Sequence, residues 1–182
     1  MEVLLALTPQ NRNKIKHGLL VIMACLLMSF YFPSWAEVTI EKLTEDVLVF
    51  DQGEHRGLLI MGNKGVAVID PLNQQVAMEL NRFIAKNYQQ SITHVVYTHS
   101  HWDRITGGGV FKKQGAKFIA NKKCRLFLSG NQNPDVVEPD VYFDKTYVIT
   151  LGKQTIELYY FGPSHGECLI AVQIQPANLL FI

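Results

Sequence analysis

Three side chains that often bind metal ions follow one another at alternate positions after a short apolar run. His99, His101 and Asp103 follow Thr98 and an apolar run that ends at Val95, Val96 and Tyr97, as is typical of the end of a buried strand. Side chains alternate along extended backbone, so the two imidazoles can point the same way while Asp103 turns toward a second ion. Two imidazoles and a carboxylate suit zinc, so this segment predicts a metal site.

The spacing His99-x-His101-x-Asp103 resembles the metal-binding motif of the metallo-β-lactamase superfamily, whose members are mostly metal-dependent hydrolases. Residues 65–70 resemble the family's strand that ends in an acidic residue, here Asp70. Residues 161–165 resemble the family's strand and loop that carry a third histidine, here His165. The resemblance covers most of residues 37–182 and implies an α/β fold, an αββα sandwich.

The resemblance also implies roles for particular side chains. His99, His101 and His165 would hold one zinc ion with an open fourth position, where a water is activated to attack an ester- or amide-like bond. Asp103 would orient that water, hold a second ion, or both. Asp70 is expected either to hydrogen-bond a ligating imidazole or to act in the turn before a helix. His55 is either a substrate contact on a flap or an exposed loop histidine.

The residue after the motif aspartate places the second metal in doubt. Arg104 stands where many hydrolases of the superfamily have histidine, and a guanidinium stays protonated and cannot bind a metal. Arginine here resembles some true metallo-β-lactamases, which complete the second site with a later cysteine and histidine. Cys168 does not match that cysteine, because it stands only three residues after His165. Such ligands would lie beyond Ile182, so the domain is expected to be incomplete at its C-terminus, with a sheet edge and apolar core exposed.

Three functions therefore stay open from the sequence. The first is a zinc hydrolase acting on a small molecule, the second is a β-lactamase, and the third is a truncated, non-catalytic metal-binding protein. Nucleic-acid binding is disfavoured, because the net charge of +1 falls to −1 once residues 1–36, with three basic and one acidic side chain, are set aside.

The N-terminal segment predicts secretion. Basic side chains precede an apolar run over residues 18–32, and small residues follow at Ser34 and Ala36. Residues 1–36 are therefore expected to be a signal peptide, leaving a periplasmic or secreted domain without a membrane anchor. The alternative is an uncleaved anchor, although this run is shorter than the roughly 20 residues of a spanning helix. An oxidising compartment would permit a disulfide between Cys124 and Cys168, but nothing in the sequence brings them together.

Short apolar segments between glycine-containing turns predict a mixed sheet structure in one domain of 182 − 36 = 146 residues. Strands are expected over residues 38–43, 47–50, 58–61, 66–69, 116–120, 147–151, 154–161, 169–174 and 179–182, and over the apolar run before His99. One helix is expected after Asn73, a possible capping residue, with apolar residues at helical spacing from Val76 through Tyr88, and another over residues 121–128.

Overall fold

The computed structural model describes residues 36–182, so the predicted signal peptide lies outside the described residues except for Ala36. Within this part of the chain, no helix is long and apolar enough to cross a membrane. The strands are β1 (Val38–Lys42), β2 (Val47–Gln52), β3 (His55–Gly62), β4 (Gly65–Ile69), β5 (Ile92–Val96), β6 (Lys117–Asn121), β7 (Val141–Phe143), β8 (Thr146–Leu151), β9 (Gln154–Tyr159), β10 (Ala171–Gln175) and β11 (Leu179–Phe181). The helices are α1 (Gln74–Asn87), α2 (Trp102–Ile105), α3 (Gly109–Lys112), a 3-10 turn (Lys122–Cys124) and α4 (Arg125–Leu128).

The strands form two sheets. The first has seven strands in chain order, β1 to β7, with antiparallel pairing up to β4 and parallel pairing from β4 to β7. The second has four antiparallel strands in the order β11-β10-β9-β8. Because β4, β5 and β6 run in parallel, the chain leaves the sheet at one edge after each of them, and loops meet there.

Alternation along the central strands builds two apolar cores on opposite faces of the first sheet. In β4, Val66 and Val68 belong to a core shared with helix α1, while Ala67 and Ile69 belong to a core shared with the second sheet. The buried side chains of all four described helices belong to the first of these cores. The layers formed by residues 36–182 are therefore helices, sheet and sheet, and the predicted α/β sandwich is confirmed.

Helix α1 begins where the sequence predicts a capping residue. The Asn73 side chain accepts a hydrogen bond of 3.1 Å from the Val76 backbone N–H, which satisfies a donor that the first helical turn leaves free. Val76, Leu80 and Ile84 are buried at helical spacing against the sheet. The helix therefore covers the sheet face behind the loops that leave β4 and β5.

The elements differ from the sequence predictions mainly at their ends. The expected helix over residues 121–128 is a 3-10 turn followed by α4, and Asn121 ends β6 instead, where its side chain caps the turn through Lys123 N–H. Strand β7 and the short helices α2 and α3 have too few residues for a periodic pattern to show. Strand β3 extends back to His55, so this histidine begins a strand rather than lying in a free loop.

Candidate metal centre

The three predicted ligands come from two different sheets. His99 and His101 lie in the loop that follows β5 in the first sheet, and His101 has an extended backbone (φ −70°, ψ 136°) just before α2. His165 lies in the connection between β9 and β10 of the second sheet. A tight turn presents it, since Ser164 N–H donates to Gly166 O (3.1 Å) and Gly166 N–H donates back to Ser164 O (2.9 Å).

The structure brings these three imidazoles together. One nitrogen of each lies within 4.8 Å of the others, and the ring centroids are 4.7 Å (His99–His101), 5.0 Å (His101–His165) and 5.8 Å (His99–His165) apart. The rings meet edge to face, at interplanar angles of 76° to 83°. His99 is buried, whereas His101 and His165 are exposed. The three nitrogens can converge on one ion that solvent or a substrate can reach from the exposed side.

A buried chain of hydrogen bonds supports His99 from behind. The Asp70 carboxylate accepts from Thr98 N–H through Oδ1 (2.7 Å) and contacts the Thr98 hydroxyl through Oδ2 (2.5 Å). The same hydroxyl lies 2.8 Å from His99 Nδ1. Asp70 therefore acts on the imidazole through Thr98 rather than by direct contact. Thr98 is not among the site residues predicted from the sequence, although its place directly before the first motif histidine was the available signal.

The hydrogen bonds that connect Asp70, Thr98 and His99 can run in either direction, depending on whether Asp70 is protonated. Burial raises the pKa of Asp70 to about 7, against the lowering effect of its bonds to Thr98. Burial also lowers the pKa of His99 to about 4, with His101 contributing in the same direction. His99 is thus neutral at physiological pH, which is the form that binds a metal.

The ionisation of Asp70 is expected to set metal affinity near neutral pH. An ionised Asp70 accepts the Thr98 O–H, so Thr98 accepts Nδ1–H of His99 and Nε2 keeps its lone pair for a metal. A protonated Asp70 donates to Thr98, which reverses the chain and leaves the proton on Nε2. Metal affinity should therefore rise, by about tenfold, as pH increases through about 7, the pKa of Asp70.

The variant Asp70→Asn tests this directly, because its amide cannot ionise and can only donate at the position of Oδ2. It should bind metal about tenfold or more weakly than wild type above pH 7, and its affinity curve should lack the step near pH 7. Competition with a chelating dye between pH 5.5 and 8.5 measures both. An Asp70→Asn variant that keeps the wild-type step would exclude Asp70 as its cause.

The third motif residue lies at the rim of the centre. Asp103 is 41% exposed, and its Oδ2 is 3.2 Å from His55 Nδ1 and 3.3 Å from Arg104 Nε. Arg104 also donates from a terminal nitrogen to the Arg56 carbonyl (2.8 Å), which ties α2 to the start of β3. The carboxylate of Asp103 therefore lies between a histidine and a guanidinium, outside the group of three ligand nitrogens.

Close backbone packing holds the motif segment in place. Leu72 N–H donates to Arg104 O and Gly107 N–H donates to Leu72 O, both at 3.0 Å. A Cβ at Gly107 would lie 2.5 Å from the Pro71 carbonyl oxygen, so only glycine fits this contact without a shift. The loop after β4 and the motif after β5 therefore form one packed unit beneath the histidines.

The two cysteines, whose relation the sequence left open, form a disulfide. Cys124 ends the 3-10 turn after β6, Cys168 lies three residues after His165, and their Cα atoms are 5.2 Å apart. Both are buried in the core shared with the helices. The disulfide links the 3-10 turn after β6 of the first sheet to the connection between β9 and β10 that carries His165.

Comparisons with known proteins identify relatives at the level of sequence and of fold. The chain is 26% identical over 162 residues to the type 2 metallo-β-lactamase of Elizabethkingia meningoseptica, covering 84% of this chain and 64% of that protein. It is 25% identical over 152 residues to the type 2 enzyme of Bacillus cereus, covering 79% and 58%. No family model matches.

Solved structures share the fold. A metallo-β-lactamase from Pontibacter korlensis superposes with a TM-score of 0.71 at 22% identity, over 80% of this chain and 70% of that one. A subclass B3 metallo-β-lactamase of Bradyrhizobium japonicum gives a TM-score of 0.64 at 20% identity, over 78% and 59%. In sequence and in fold, the chain is thus similar to metallo-β-lactamases. In this fold, the three clustered histidines form a possible metal site. The chain spans about 60% of the length of the two curated relatives above (64% and 58%).

Proposed function

We propose that the protein is a secreted zinc-dependent hydrolase that acts on an ester- or amide-like bond in a small molecule. The observation that supports this most directly is the convergence of the His99, His101 and His165 nitrogens within 4.8 Å. The donor set fits the ion, because three neutral imidazoles leave one tetrahedral position open, as in catalytic rather than structural zinc sites. The hydrogen bond at His99 Nδ1 and the neutral state of this imidazole add to the fit.

Bound zinc would lower the pKa of a water to about 7 and supply a nucleophile at neutral pH. The chain's own residues would orient the reactants. Asp103 Oδ2 can accept a hydrogen bond from the attacking water, since the side chain is partly exposed beside the centre. Arg104 fixes that carboxylate by its ion pair, and His55, 45% exposed on the other side of Asp103, is placed to contact a substrate.

A β-lactam is the first substrate to test. Two observations favour it over other amides and esters: the curated relatives are metallo-β-lactamases, and Arg104 follows the motif aspartate as in some members that have this activity. The proposal is limited to one metal ion, because among residues 36–182 only the three histidines form a cluster of potential ligands.

Secretion is proposed from two independent features. The N-terminal sequence has the charge and apolar pattern of a signal peptide. The disulfide between Cys124 and Cys168 is of a kind that persists mainly in oxidising compartments such as the periplasm.

The deciding experiment is elemental analysis of the protein purified without added metal, followed by turnover assays with nitrocefin and a panel of activated esters. We expect about one zinc per chain and hydrolysis that stops on chelation and returns with zinc. A folded protein without metal, or turnover that chelators do not affect, would contradict the proposal. Bound zinc without turnover of any substrate would instead favour the non-catalytic metal-binding protein.

A further inference from the structure

The loop that carries His165 lies at the surface. Residues 163–167 are exposed, and glycines with positive φ stand on both sides of the histidine, Gly162 at 115° and Gly166 at 98°. Within the segment, the Tyr160 hydroxyl donates to Glu167 O (2.8 Å), which closes the loop on itself. These contacts shape the turn but do not attach it to His99 and His101, which belong to the other sheet.

The attachment comes immediately after the loop. Cys168 is 1% exposed and is bonded to Cys124, which follows the last residue of β6 by three positions. Two residues further on, Ile170 N–H donates to Thr98 O (3.0 Å), the residue directly before His99. One covalent bond and one hydrogen bond thus connect the third ligand's loop to the sheet that carries the other two.

We propose that the Cys124–Cys168 disulfide is a positioning element of the metal centre, which holds His165 within reach of the ion that His99 and His101 bind. This inference rests on the proposed metal site and adds a condition to it. Ordering a flexible loop when it binds a metal costs conformational entropy. A covalent anchor three residues from the ligand reduces that cost, because it restricts the loop before the metal binds. The fully assembled centre is then a property of the oxidised protein.

The test is a double-mutant cycle on metal affinity. Replacing both cysteines (Cys124→Ala with Cys168→Ala) should weaken zinc binding about tenfold or more, in the range seen when a supporting residue of a ligand is lost. In a His165→Ala background the same cysteine changes should alter affinity by less than about twofold, because the ligand they position is already absent. Affinity is measured by competition with a chelating dye, using alanine so that no thiol can bind zinc.

Cobalt substitution adds a spectroscopic readout. The wild type should show the intense visible bands of a four-coordinate ion, and the cysteine variant should show the weaker spectrum of an ion that has lost an imidazole and gained waters. Leu80→Ala is the matched control, since it removes a fully buried side chain of α1, a helix that carries none of the three histidines. It should lower thermal stability while leaving zinc affinity and the cobalt spectrum unchanged.

The outcomes separate this inference from the proposed function. A wild type that binds no zinc contradicts both, whereas equal affinities in wild type and the cysteine variant contradict only the positioning role. A loss that is equally large in the His165→Ala background would also overturn it, because the disulfide would then act on the fold as a whole. If the variant does not fold, zinc release from wild type to the dye is compared before and after reduction with a phosphine. Release that fails to accelerate would overturn the proposal.

Discussion

Replacing His101 with alanine is expected to remove most of the metal bound by the protein. His101 lies centrally in the cluster, with ring-centroid distances of 4.7 Å to His99 and 5.0 Å to His165. Without it, two imidazoles from different sheets remain, and they are the most widely separated pair, at 5.8 Å. Zinc affinity should fall by more than about 100-fold, beyond the range for loss of a supporting residue. Elemental analysis after dialysis, with dye competition, measures this loss.

The matched control is His94→Ala. His94 lies in β5 on the same segment of chain, but its Nδ1 is paired with the Thr93 hydroxyl (2.9 Å) and it is not part of the ligand cluster. This variant should keep the zinc content of wild type. If both histidine variants bind as much zinc as wild type, the metal is held elsewhere and the assignment of the three-histidine site is wrong.

Replacing Asp103 with asparagine is expected to lower hydrolysis by about 100-fold or more while most of the bound zinc remains. The carboxylate lies outside the three-nitrogen cluster, so the first metal does not depend on it. Its Oδ2 is the proposed acceptor for the attacking water, and loss of a general base typically costs about 10² to 10⁴ in rate. The change also removes the charge that faces His55 and Arg104. The measurement is kcat together with zinc content for the same preparation.

Asp144→Asn provides the comparison for Asp103→Asn. Asp144 is a more exposed carboxylate (62%) that is paired with Lys122 at 2.7 Å and is not part of the ligand cluster. Its replacement should leave both turnover and zinc content unchanged. Full activity in Asp103→Asn would remove Asp103 from the mechanism, and parallel loss of zinc and activity would make it a metal ligand instead.

The candidate ligands could be predicted from local sequence because metal chemistry restricts both residue type and spacing. His99 and His101 stand two residues apart after an apolar strand, and His165 follows a second strand in a glycine-containing loop. Short apolar segments between glycine-containing turns likewise predicted most strands, since central strands such as β3 and β4 bury side chains on both faces. The αββα-type sandwich followed from the resemblance that these motifs carry, and the fold comparisons confirm it.

Contacts between distant segments depend on how the sheets pack, and no local pattern contains that information. The hydrogen bond between Thr98 and Asp70 joins residues 28 positions apart, and the disulfide joins residues 44 positions apart. His55 meets Asp103 because β3 pairs beside β4, which places the start of β3 next to the loops that leave the parallel strands. The sequence thus specified which side chains can bind a metal, through their chemistry and spacing. The packing of two sheets specified what supports, orients and anchors them, because those contacts exist only once the sheets have closed on each other.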